Sequence, residues 1–157
     1  MIVGVTGHQD IPDAALAFVE QGITQVLRRL GSEFTGISPL AAGADQLFAE
    51  IVLRLGGRLH VVIPCEKYET TFVDSQTLHR FRELLEKAAI IETLKHARPS
   101  EKAFLDAGRR IVEFSQVLIA VWDGREARGK GGTANIVCYA RKRRIEVVVV
   151  WPLGIVR

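Results

Sequence analysis

The chain has 157 residues, 48% hydrophobic and 25% charged, a globular composition that excludes disordered, collagen-like and low-complexity classes. A length near ~150 residues suits one domain with a core of its own, so residues 1–157 are read as a single domain. The formal net charge is +3, short of the basic stripe of a dedicated nucleic-acid binder and suited to a small anionic ligand.

Cys65 and Cys138 stand far apart in no Cys/His ligand spacing, so neither a disulfide framework nor a zinc site is expected, and no cofactor is implied. The N-terminus MIVGVTGHQD has no basic region ahead of an apolar run and is not a signal peptide. The longest apolar run, residues 147–156, is broken by Pro152 and Gly154 and falls short of the ~20 residues that span a bilayer. A cytoplasmic protein with no membrane contact is expected.

Residues 2–6 open the chain as a buried strand. Over residues 13–30, Leu16, Val19, Ile23, Val26, Leu27 and Leu30 recur at three- and four-residue spacing and predict a helix, with Pro12 at its start and Gly31 at its stop. A strand at 34–38 follows, then a helix at 45–55 carrying Leu47, Phe48, Ile51, Val52 and Leu55. Gly56 and Gly57 end that helix, and a strand at 59–63 is stopped by Pro64. Residues 65–77 are polar and read as a loop. A helix at 78–88 carries Phe81, Leu84 and Leu85, and residues 89–91 read either as a short strand or as an extension of that helix. Beyond Pro99, a helix at 100–114 leads to the clearest strand, 117–122. A glycine-rich loop, a helix at 133–143 and a last strand at 147–151 complete the chain.

Strands apolar on both faces and separated by helices predict a mostly parallel sheet covered on both sides, a single Rossmann-like doubly wound α/β domain. In such a sheet ligands bind outside the carboxyl ends of the strands. The unusual residues gather there. Gly7, His8, Gln9 and Asp10 follow the first strand, residues 38–45 (SPLAAGAD) the second, and residues 122–133 (WDGREARGKGGT) the fifth.

In the last loop Gly129, Gly131 and Gly132 allow positive φ and close approach to a ligand, and they lead into a helix whose first amides are unpaired. With Lys130, Arg128 and Arg125 they make an anion cradle suited to phosphate. Residues 124–130 fit seven positions of a Walker A motif, but Gly131 stands where Ser or Thr must hold Mg²⁺, so a P-loop is rejected. The bland alternative is a glycine turn with Thr133 as helix N-cap.

Asp45 is either the cap of its helix or a carboxylate aimed at ribose hydroxyls. Glu50 lies a turn further along. His8, on a tight loop with no metal-spaced partner, is either a ligand contact or a satisfied loop residue. His60, His79 and His96 are scattered and carry no assignment. The basic run Arg141, Lys142, Arg143 and Arg144 reads as a solvated helix end favoured by the dipole.

These segments resemble the SLOG superfamily, which groups the DNA-processing protein DprA (Smf), the LOG proteins and related Rossmann-like nucleotide binders. The resemblance rests on GVTGH, GISPLAAGADQLFAE and AGRRIVEFSQVLIAVWDGREARGKGGTANIV, and looks closest to small stand-alone bacterial members. It implies a nucleotide or phosphoribosyl ligand held by Gly7, His8, Gly43, Ala44, Asp45, Gly129, Lys130, Gly131, Gly132, Thr133 and Asn135. The family's arginine corresponds to Arg109 or Arg110, with Arg109 the better match to the AGR string.

LOG enzymes cleave the N-glycosidic bond of nucleoside 5′-monophosphates with a glutamate from the PGGxGTxxE signature. Here that position is Ile136. The resemblance therefore implies a sensor or carrier rather than a catalyst. The alternatives are a LOG-like phosphoribohydrolase with a relocated carboxylate (Asp45, Glu50 or Asp123) and DprA-like single-stranded DNA binding, although DprA's extra domains have no counterpart here. LOG-like relatives also imply a homo-oligomer, and nucleic acid is not the expected partner.

Overall fold

A computed structural model describes residues 1–126 and 132–156. In chain order the elements are β1 (Ile2–Gly7), α1 (Asp13–Arg29), β2 (Thr35–Ser38), α2 (Ala44–Arg54), β3 (Arg58–Ile63), a 3₁₀ turn (Tyr68–Thr71), α3 (Ser75–Glu86), β4 (Ile90–Thr93), α4 (Glu101–Phe114), β5 (Val117–Val121), α5 (Thr133–Lys142) and β6 (Glu146–Val149). The strands form one six-stranded sheet in the order β4-β3-β2-β1-β5-β6, and every pairing among the described residues is parallel. This is the Rossmann-like α/β architecture that the alternation of apolar strands and periodic helices predicts.

Both faces are covered, and alternate residues of each strand feed opposite layers. Val3, Val5, Val117, Ile119 and Val121 pack with α1 and α2 in one cluster. Leu59 and Val61 continue that layer under α2 and α3. Ile37, Val62 and Leu118 face the other way, against α4 and α5. The central strand β1 has room for Gly4 alone at one crossing, where a Cβ would strike Ser115 and Ile111 of the α4 end.

The sequence reading departs from the structure mainly between residues 65 and 93. The polar stretch contains the 3₁₀ turn, and α3 begins at Ser75 rather than residue 78. Its first turn, Ser75-Gln76-Thr77, gives no apolar period. The start signal is Asp74, whose carboxylate accepts from the Thr77 amide at 2.7 Å, a helix cap. β4 lies at Ile90–Thr93, with both isoleucines half-exposed on the sheet edge. The last strand stops at Val149, so Trp151 leaves the sheet and turns back toward β1. Among the described residues no helix is long and apolar enough to cross a membrane.

Consecutive connections run outward from β1 to β2 and from β5 to β6, on opposite sides of the β1–β5 pair. The topological switch point therefore lies at the carboxyl ends of these two strands. The loops carrying His8, Asp45 and Asp123 meet there.

Candidate functional site

The site is built on backbone that approaches unusually closely. Gly43 has φ +80°, and a Cβ there would collide with the main-chain carbonyls of Gln9 and His8. Across the same seam, a Cβ on Gly7 would stand 2.5 Å from the Ala44 methyl. Only glycine lets the loop after β1 and the start of α2 close on each other in this way. The Ala44 amide then donates to the His8 carbonyl at 3.1 Å, and the His8 amide to Val121 at 3.1 Å. Gly43 and Ala44 thus hold the wall together from behind, while Gly7 and His8 face the opening.

His8 is 4% exposed. Its Nε2 lies 3.1 Å from the Asp123 amide and 3.2 Å from the Asp123 carboxylate. A neutral ring accepts from that amide, and a protonated one pairs with the carboxylate. Trp151 meets the ring edge-on at 5.3 Å. Histidine at this position joins three segments that are distant in sequence.

Asp45 is 7% exposed and stands inside the first turn of α2, whose N-cap is Gly43. It is not the cap residue. Its Oδ2 accepts a hydrogen bond from the Ala41 amide at 3.3 Å. Burial pushes the carboxyl up to about 8, against a small opposing effect of that amide. The group is therefore largely protonated at neutral pH, able to donate as well as accept. The turn that carries it is tightly specified. Ser38 Oγ accepts from Leu40 N and donates to the Asp45 carbonyl, and Gln46 Nε2 donates to the Leu40 carbonyl. Leu40 itself sits at φ 59°, a conformation that a branched apolar residue adopts only when its surroundings hold it there.

Facing these groups is a cleft of about 680 Å³, bounded by the ends of β1 and β2, the 3₁₀ turn and the first turns of α4 and α5, a volume in the range of small-molecule sites. Gly132 and Thr133 close one end. Gly132 is the N-cap of α5, and among the described residues no side chain caps that helix end, which is where an anion is favoured. The N-termini of α1 and α2 also lack side-chain caps, whereas α3 and α4 are capped by Asp74 and Ser100. The other end is aromatic. Tyr68 packs against Phe72 at 5.5 Å and Phe104 at 6.5 Å, and all three line the cleft. The sequence reading missed this wall because residues 65–77 look like a polar loop. The signal was present as two aromatics, Tyr68 and Phe72, four apart in an otherwise polar run.

Of the residues singled out from sequence, Gly7, His8, Asp45, Gly132 and Thr133 line one cleft. Thr133 is the first residue of α5 rather than its cap. Gly129, Lys130, Gly131 and the neighbouring Arg128 lie outside the described residues. Four others are not brought to the cleft. Glu50 faces α3, 2.8 Å from Arg80. Arg109 stacks on Tyr139, and Arg110 is paired with Glu92 at 2.7 Å and stacked on Phe114. Asn135 is exposed on the outer side of α5. Asp123 is buried beneath His8, its Oδ1 accepting from the Arg125 amide at 3.1 Å. Ile136 is 2% exposed, and its side chain fills the space that a Cβ on Gly108 would occupy. Among the described residues no group of three or more His, Cys, Asp or Glu side chains is placed to hold a metal ion.

The sequence matches no protein-family model and no curated protein. Its structure is similar to solved ones. DNA processing protein A (DprA) from Streptococcus pneumoniae superposes with a TM-score of 0.66 at 17% identity, over 94% of this chain and 49% of that one. The chain thus spans about half the length of that protein. DprA from Helicobacter pylori, solved for its single-stranded DNA binding mode, gives 0.69 at 18% identity over 98% of this chain and 67% of that one. The molybdenum cofactor carrier protein MCP from Chlamydomonas reinhardtii gives 0.52 at 20% identity over 94% and 75%. At these identities the likeness establishes the Rossmann-like fold.

Proposed function

We propose that the protein binds a nucleotide or phosphoribosyl-type small molecule across the carboxyl edge of its sheet, as a sensor or carrier rather than a catalyst. The observation that carries this reading is the cleft at the β1–β5 switch point. It has an uncapped helix N-terminus at Gly132 and Thr133 at one end and an aromatic wall at the other. The helix end receives the phosphate, together with Gly129, Lys130 and Gly131. Gly7 and His8 form the facing wall. Asp45 supplies a polar contact within it.

The chemistry of the walls favours binding over turnover. Ile136, at the position of the LOG glutamate, is an apolar side chain packed on Gly108, and it can neither move a proton nor stabilise an oxocarbenium ion. The LOG-like hydrolase remains the second reading, with Asp45 as the carboxylate that faces the cleft. Single-stranded DNA binding, the property named for the Helicobacter pylori neighbour, is less well served. Among the described lining residues Asp10, Glu101 and Glu126 stand against Arg125, a poor track for a run of phosphodiesters. Self-association, implied by the LOG resemblance, is part of the proposal and is tested by light scattering at micromolar concentration.

The deciding experiment is thermal stabilisation by nucleoside monophosphates, with free base assayed in the same samples. Stabilisation without base release is expected. Gly132→Val crowds the cradle and removes stabilisation while the protein stays folded. Unchanged binding by this variant would overturn the phosphate assignment. Base release lost in Asp45→Asn would establish the hydrolase. Steep loss of oligonucleotide affinity with salt would establish nucleic-acid binding.

A further inference from the structure

Asp45 and Tyr68 are each more than nine-tenths buried, at 7% and 6% exposure, and both line the cleft. Neither is satisfied by the protein. Asp45 Oδ1 and the Tyr68 hydroxyl have no hydrogen-bond partner among the described residues, whereas Asp45 Oδ2 has the Ala41 amide. Burial raises the Tyr68 hydroxyl well above its ordinary range, and the charges of Asp45 and Cys65 add to that. Both atoms open onto the cleft, where the polar groups of a ligand can meet them.

Stapling the loop does not account for Asp45. One amide at 3.3 Å is a long bond for a carboxylate, and Asn would accept it as well. The surroundings indicate what is met instead. Phe72 and Phe104 flank Tyr68 on the same stretch of the cleft. A flat heterocycle stacks on such aromatic faces at about 1–3 kcal/mol per base, using far more of their area than a ribose does.

We propose that Asp45 and Tyr68 form the hydrogen-bonding edge that reads the ring edge of a heteroaromatic base, so that the ligand's base occupies the aromatic end and its phosphate the α5 end. This replaces the ribose role expected for Asp45 and rests on the ligand-binding reading above. Because burial keeps the carboxyl protonated at neutral pH, it presents a donor beside an acceptor. Its complement is a ring nitrogen next to an exocyclic amine, the edge of adenine or cytosine. The tyrosine hydroxyl adds a second donor or acceptor at the rim.

The test is isothermal titration of the full chain with AMP, CMP, GMP, UMP and ribose 5-phosphate, for wild type, Tyr68→Phe and Asp45→Ala, which removes both the donor and the acceptor that asparagine would keep. Wild type is expected to bind AMP or CMP about ten-fold or more tightly than ribose 5-phosphate. Each substitution should weaken that nucleotide about ten-fold and leave ribose 5-phosphate unchanged. Equal wild-type affinity for nucleotide and ribose 5-phosphate overturns the base-edge assignment and leaves the phosphate cleft standing. So do losses of equal size for both ligands. If none of the five probes binds wild type, the reading of the cleft as a nucleotide site fails and this assignment fails with it.

Discussion

The two edges of the sheet obey different rules. At the amino edge of the strands, where the helices end, α1, α2 and α5 meet the local preference for a cation in the last turn, although Arg144 beyond α5 sits at φ 61°. α1 ends in Arg28 and Arg29 and α5 in Arg141 and Lys142, cations where the helix dipole favours them, and the terminal amides fold back onto the last turn. At the carboxyl edge the preferences are broken together. Three helices start without a side-chain cap, Leu40 is held at positive φ, and His8 and Asp45 are buried with their polar atoms. One end of the molecule follows local stability, and the other spends stability on shape and chemistry, as functional sites do.

Substitutions can sharpen that contrast, beginning with the largest effect. Gly43→Ala places a Cβ on the Gln9 and His8 carbonyls at a positive φ. Backbone cannot swing aside, so a loss of at least ~3 kcal/mol is expected, read as a lowered urea midpoint.

Asp45→Asn should act in the opposite direction. The folded carboxyl titrates near 8 against the ordinary 3.8, so the folded state holds the proton more tightly. Below about pH 4 both states are protonated and the group costs nothing. As pH rises toward 8 the unfolded state ionises first and wild-type stability falls. Asn cannot ionise and still accepts from Ala41. The variant should therefore match wild type at pH 4 and exceed it by on the order of 2–4 kcal/mol at pH 8, measured by denaturation across that range. A gain of that size would mark Asp45 as a residue kept at a cost to stability, as functional residues are.

The smallest effect belongs to the amino edge. Arg28→Ala removes an exposed cation from the last turn of α1, and its melting temperature should move by no more than about two degrees, with the difference erased by salt. A larger shift would show that this edge is also under demand.

The strands and helices were legible because Val3, Val5, Leu118 and Ile119, or Val19, Ile23, Val26 and Leu27, repeat at the periods that burial imposes. The sheet's switch point, and with it the neighbourhood of His8 and Gly132, followed from that order. The aromatic wall did not. Tyr68 and Phe72 belong to a turn with no regular period, and their inward direction is set by packing on Phe81 and Phe104 rather than by neighbours in sequence. Glu50 and Arg109 stand away from the cleft for a related reason. Proximity in sequence to a motif does not fix which side of a helix a residue faces, and these two turn toward Arg80 and Tyr139.

His8 ties β1 to α2, to the loop after β5 and to Trp151, and this has a consequence for the order of folding. β1 is central in the sheet yet pairs with β5, as where Val3 meets Val117. On a ribosome the first strand emerges long before its second neighbour. Until β5 arrives, one flank of β1 is an open strand edge, a template for pairing with other chains. The cleft is consequently among the last parts of this fold to form, since its walls need the loop after β5 and Trp151 in place.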